Sequence, residues 1–218
     1  MKKAVIIGAT GLIGKELLAL LLEHDNFEHI TVLSRKNLDI VHPKLELRII
    51  NFDNNETYLK ASDNFTDAFC CLGTTMKQAG SKDAFYKVDF TYCLNFAQAN
   101  VNLNTPHFYI VSALGSDAHS SIYYNQVKGQ IETAVSKLPF RSVSIFQPSL
   151  LLGNRKEFRL GELIGKAVFK VFGFIFISKL KKYKAIEGKQ VAKAMVKNAL
   201  QTDKTGVIRI ESDMMWDV

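Results

Sequence analysis

"VIIGATGLIG", residues 5–14, sets Gly8, Gly11 and Gly14 three residues apart where the apolar run "KAVIIG" hands over to the segment "GLIGKELLALLLEH". The first reads as a strand and the second as a helix with a broad apolar face. In a strand-turn-helix context each glycine has its own duty. Gly8 permits the tight turn, Gly11 lets the backbone approach a pyrophosphate, and Gly14 lets helix and strand pack closely. Thr10, Leu12 and Ile13 complete the loop. The helix that begins there offers unpaired N–H groups and a positive dipole end to phosphates.

The same alternation continues outward from this loop. "HITVLS", "LRIIN", "DAFCCL", "HFYIVSA", "SVSIFQ" and "GVIRIES" read as further strands. Helices are expected from about Ser81 to Asn100, over "SIYYNQVKGQIETAVSKL" and over "GKQVAKAMVKNALQ". Pro43, Pro106, Pro139 and Pro148 fall between these segments, where a missing N–H costs nothing. Apolar strands alternating with helices imply an α/β fold, a doubly wound parallel sheet (Rossmann fold). At 218 residues the chain suits a single domain, 1–218, with a substrate-side region at about 149–188.

Composition narrows the function classes. A formal charge of +7 favours an anionic ligand. Three cysteines, Cys70, Cys71 and Cys93, make no complete disulfide set and have no metal-ligand spacing, so they read as reduced, buried thiols in a cytoplasmic protein without a metal site. The N-terminal "MKK" before an apolar run resembles a signal peptide, but Lys15 and Glu16 interrupt it and no small-x-small cleavage site follows. "VFKVFGFIFI", residues 168–177, is too short to span a bilayer and contains Lys170. It reads as a core helix end, or as a face for a second copy of the chain in a homodimer. Lys189, Lys193 and Lys197 share one helix face and read as solvated charges, with no aromatic interleaving of the kind nucleic-acid readers use.

Cofactor choice is read about 20 residues past the glycine loop, where sites selective for NAD usually carry a carboxylate. Here the chain reads Ser34-Arg35-Lys36. A guanidinium can fork onto a 2′-phosphate, so NADPH is expected. Asp53, just after the third strand, is placed to accept from the adenine amino group.

Chemistry is read from Ser112, at a strand end, and from Tyr124-x-x-x-Lys128 on the following helix. Four residues apart, Tyr124 and Lys128 share a helix face, whereas Tyr123 has Val127 at that spacing. A free tyrosine titrates near pH 10, and a neighbouring ammonium favours its phenolate. The expected roles are Tyr124 as acid/base, Lys128 as its tuner and ribose ligand, and Ser112 as anchor for a carbonyl oxygen.

At these residues the chain resembles the short-chain dehydrogenase/reductase superfamily in its atypical branch. More narrowly, "FCCLGTT", "VSALGSD", "YYNQVKG" and "IFQPSLLLG" resemble the Tat-interacting-protein-like oxidoreductases. The resemblance implies bound NADPH and a Ser-Tyr-Lys triad on Ser112, Tyr124 and Lys128. It also implies a cofactor-lining turn at Leu72, Gly73 and Thr74, with Gln147 to Leu150, including Pro148, flanking the nicotinamide. "YKVDFTYCLN" places Asp89 where many superfamily members carry an asparagine. The leading expectation is a reductase of small carbonyl compounds. The alternative is a regulatory protein that signals NADPH occupancy to a protein partner.

Overall fold

A computed structural model describes residues 1–152 and 181–216. In chain order the elements are β1 (Lys2–Ile7), α1 (Leu12–Glu23), β2 (Phe27–Ser34), β3 (Leu45–Ile49), β4 (Asp67–Cys70), α2 (Met76–Ala79) and α3 (Lys82–Tyr86). A π-helical stretch (Lys87–Thr91) leads into α4 (Tyr92–Asn102), then β5 (His107–Val111), α5 (Tyr123–Ser136) and β6 (Ser142–Gln147). The short β7 (Leu151–Leu152) and β8 (Ile186–Glu187) pair with each other before α6 (Gly188–Ala199) and β9 (Gly206–Glu211). Most of the expected substrate-side region, with residues 168–177, lies outside the described residues.

Seven strands form one sheet in the order β3-β2-β1-β4-β5-β6-β9, every neighbouring pair parallel. This is the doubly wound Rossmann arrangement expected from the glycine loop. The strand order reverses between β1 and β4, and ligands of such sheets bind at the carboxyl ends there.

The near-continuous apolar strands follow from burial on both faces. Ala4, Ile6 and Val32 point to one side, against Leu17 and Leu21 of α1 and Val191 and Met195 of α6. Val5, Ile7 and Leu33 point to the other, against Phe96 and Ala97 of α4 and Ile131 and Val135 of α5. Lys189, Lys193 and Lys197 are on the exposed side of α6.

The helix expected from about Ser81 to Asn100 forms as one helical run over 82–102, with a π-helical stretch inside it and a separate short helix, α2, before it. Thr75 and Ser81 each cap a short helix, accepting from the N–H groups of Gln78 and Ala84, and Gly80 at φ 78° ends the first. The π-helical stretch then turns Asp89 fully inward, and the register resumes as α4. Such stretches are rare and recur at functional sites.

Candidate active site

The glycine loop divides its duties by packing. Gly8 has φ +80°, and a Cβ there would lie 2.4 Å from the Cys71 carbonyl carbon, so β4 could not close on β1. A Cβ at Gly14 would lie 2.1 Å from the Gly8 oxygen. Gly11 is less crowded: a Cβ there would meet the Gly8 oxygen at 3.3 Å, a tight contact relieved by a shift of a few tenths of an ångström. Gly11 is also the N-cap of α1 and supplies no side-chain cap, which leaves the first-turn N–H groups of Leu12, Ile13 and Gly14 for an outside acceptor. Thr10 is exposed beside them. This donor set fits a dinucleotide pyrophosphate.

At the end of β2, Ser34 is buried and its hydroxyl accepts from the Lys36 N–H (3.2 Å). Arg35 is exposed and makes no ion pair among the described residues. Asp53 stands in the turn after β3, where it accepts from the Tyr92 hydroxyl (2.6 Å) and pairs with Lys87 (2.7 Å). The Lys87 contact, then the Tyr92 hydrogen bond, lower its carboxyl below the ordinary range.

Across the switch point, the turn Leu72-Gly73-Thr74 leaves β4 directly over the catalytic candidates. The Thr74 N–H donates to Asp89 Oδ2 (2.8 Å), and Asp89 Oδ1 pairs with Lys128 Nζ at 2.7 Å, as a charge contact rather than an aligned hydrogen bond. Both side chains are buried. A Cβ at Gly73 would stand 3.3 Å from Asp89 Oδ1 and 3.6 Å from Lys128 Nζ. Burial works against the Lys128 charge, but Asp89 and then Tyr124 outweigh it and hold the ammonium above the usual lysine range. The three cysteines are free, Cys70 and Cys93 in the core on the α4–α5 side of the sheet and Cys71 against the other; burial, then the neighbouring Cys93, push the Cys71 thiol up to about 12.

Tyr123 and Tyr124 open α5 and both rings pack on Phe85, but their hydroxyls differ. The Tyr123 hydroxyl donates to the Lys82 carbonyl (3.0 Å), which ties it to α3. The Tyr124 ring packs on Phe85 with centroids 5.6 Å apart, and its hydroxyl has no hydrogen-bond partner among the described residues. Tyr124 instead lines a cleft of about 850 Å³ at the carboxyl ends of β5, β6 and β9, together with Ser112, Gln147, Pro148 and Leu150. The residues expected to surround a nicotinamide and its substrate therefore share one wall.

Two residues of that wall escaped the sequence reading. Glu132, one turn beyond Lys128 on α5, is buried and accepts from Ser112 Oγ (2.5 Å) and from Gln147 Nε2 (3.0 and 3.1 Å). Arg209 of β9 approaches its other side, Nε to Oε2 at 3.7 Å. The signal for Glu132 was present, because Tyr124, Lys128 and Glu132 are spaced four apart on one helix face. For Arg209 there was none, since its place depends on β9 pairing with β6.

Glycine cradle, parallel sheet and clefted strand ends define the class: an NAD(P)-binding Rossmann domain of the atypical short-chain dehydrogenase/reductase type. Residues 3–84 match the family model described as semialdehyde dehydrogenase, NAD binding domain. The fold is similar to the Bordetella bronchiseptica enzyme WbmH in complex with NAD+, at a TM-score of 0.72 and 15% identity over 97% of this chain and 76% of that one. Protein HTATIP2 of Rattus norvegicus is 35% identical over 77% of this chain and 70% of its own length. FMP52 of Candida glabrata, named a mitochondrial protein, is 32% identical over 91% and 85%. The chain belongs to the HTATIP2/FMP52 family. The mitochondrial names overturn the cytoplasmic placement expected above. Free cysteines suit any reducing compartment and cannot tell one from another.

Proposed function

We propose that this protein is an NADPH-dependent reductase of a small carbonyl compound, built as one domain whose substrate side is the region at about 149–188. The observation that carries this reading is Tyr124, which lines the cleft with its hydroxyl unpartnered among the described residues, one helical turn from the buried Lys128 ammonium. Bound cofactor supplies the hydride. The Gly8–Gly14 loop, with Thr10, Gly11, Leu12 and Ile13, holds the pyrophosphate. Ser34 and Arg35 receive the 2′-phosphate, and Asp53 lies on the adenine side. Leu72, Gly73 and Thr74 line the cofactor, while Gln147, Pro148 and Leu150 flank its reactive ring. Tyr124 gives the proton, and Ser112 fixes the substrate beside it. Lys128 keeps a positive charge next to the phenol, and beside its charge contact with Asp89 it has N–H donors for ribose hydroxyls.

The test is consumption of NADPH and of NADH against a panel of aldehydes, ketones and quinones. Turnover is expected, with NADPH preferred, and Arg35→Ala raises KM for NADPH by about tenfold or more while NADH changes little. Equal losses for both cofactors would remove the 2′-phosphate role of Arg35. Tight cofactor binding with no turnover on the panel would favour a regulatory protein that reports NADPH occupancy to a partner.

A further inference from the structure

The hydrogen-bond inventory around Ser112 has a consequence for substrate choice. A serine hydroxyl carries one hydrogen. Ser116 Oγ lies 2.6 Å from the Ala113 carbonyl oxygen, which can only accept, so the Ser116 hydrogen is spent there. Ser116 therefore has none to give Ser112, 3.0 Å away. The Ser112 hydrogen goes to Glu132 Oε1 at 2.5 Å. Gln147 is committed in the same sense: facing both carboxylate oxygens it must present its NH2 group, which leaves its carbonyl oxygen as the remaining polar atom. Ser112, expected to anchor a carbonyl oxygen, and its neighbour Gln147 have thus both turned their hydrogens to Glu132. What Ser112 has left for a ligand is a lone pair.

Resting on the reductase reading above, we infer that the substrate carries a hydroxyl beside its reacting carbonyl, and that Glu132 is the positioning residue that makes the site select it. The reacting oxygen meets the Tyr124 hydroxyl, and the neighbouring O–H donates to Ser112 Oγ. A substrate lacking that hydroxyl leaves a buried acceptor unpaired, which a desolvated site penalises heavily. Ser112 is buried, so water is a poor substitute. The substrate class is an α-hydroxy aldehyde or ketone.

The experiment uses small matched probes, glycolaldehyde against propanal and hydroxyacetone against butanone, with saturating NADPH. In the parent protein kcat/KM is expected to favour the hydroxylated member of each pair by about 100-fold. Glu132→Gln places an amide NH2 against Ser112 and frees the serine hydrogen, so the ratio falls at least about tenfold while Tyr124 still supplies the proton. Ser112→Ala removes the acceptor, leaves the Glu132–Gln147 contact in place, and lowers the ratio in the same way if the glutamine variant does not fold. A loss of overall rate with the ratio preserved in both variants would make Glu132 a purely structural clamp and overturn the inference. So would a ratio near one in the parent protein. Bound cofactor with turnover of neither pair would remove the reductase reading, and this inference with it.

Discussion

The two ends of the sheet both bury charge, and they do so to opposite ends. At the amino ends of the strands, Asp67 is fully buried and accepts from Lys2 (3.0 and 3.1 Å), Thr66 (2.6 Å) and Tyr109 (2.7 Å). Tyr109 in turn accepts from the buried Lys204 (2.8 Å), which also reaches Asn198 (3.4 Å), itself the acceptor for Ser144 (2.8 Å). This network links β1, β4, β5, β6 and α6, its polar groups committed to one another. At the carboxyl ends, Asp89–Lys128 and Glu132–Ser112–Gln147 are as deeply buried, but beside them Tyr124 faces an open cleft. A buried charge is therefore no mark of function. An uncommitted group beside it, reachable from a cleft, is what separates the two ends.

That contrast can be broken in graded steps. The largest effect belongs to the closed network. Asp67→Ala leaves Lys2 and Tyr109 without their shared acceptor and is expected to cost about 3 kcal/mol in a denaturant titration, because breaking a buried pair strands the remaining partner. Next come the glycines at the open end. Gly14→Ala drives a Cβ into the Gly8 oxygen and is expected to lower stability by about 2 kcal/mol. Gly11→Ala, whose methyl asks the Gly8 oxygen to give by a few tenths of an ångström, is expected to cost less than Gly14→Ala, about 1 kcal/mol or under, while cofactor affinity falls about tenfold by fluorescence titration. A stable Gly14→Ala with unchanged binding would make the loop a tolerant turn.

The smallest effect is a titration. Burial lowers Lys204 to about 8, against partial help from Asp67. Its folded value lies below the unfolded one, so folding favours the neutral amine. The resulting contribution is full above the unfolded value near 10.5 and is lost as pH falls through about 8. Melting temperatures between pH 7.5 and 10 should move in the parent's favour relative to Lys204→Met as pH rises. A pH-independent gap would mean that the amine is not desolvated in the folded protein.

What could be read from sequence was whatever depends on neighbours along the chain. The glycine loop, the strand ends and the Tyr124–Lys128 spacing are local patterns whose geometry follows from helix and strand periods. The π-helical stretch inside the 81–100 helix and the separate α2 before it were not legible, although Thr75, Gly80 and Ser81 hold the capping chemistry that bounds α2 and starts α3. The spacing placed Glu132 on the Tyr124–Lys128 face, but its burial arises only once β5 and β6 bring Ser112 and Gln147 to it. Arg209 and Lys204 are placed by strand pairing between residues far apart in sequence. Pairing across the sheet, more than any local propensity, decided what remained hidden.

One side-by-side measurement bears most directly on the division between the two ends. Tyr124→Phe and Tyr109→Phe each remove a single hydroxyl, one from the open cleft and one from the closed network. Stability and carbonyl turnover are read on both. Tyr124→Phe is expected to hold stability within about 0.5 kcal/mol and cofactor binding intact while turnover falls 10²- to 10⁴-fold, roughly what one proton donor contributes. Tyr109→Phe is expected to lose about 1–3 kcal/mol of stability and keep turnover. Turnover retained in Tyr124→Phe, with the protein folded and cofactor bound, would contradict the assignment of the proton donor and with it the functional meaning of the open end.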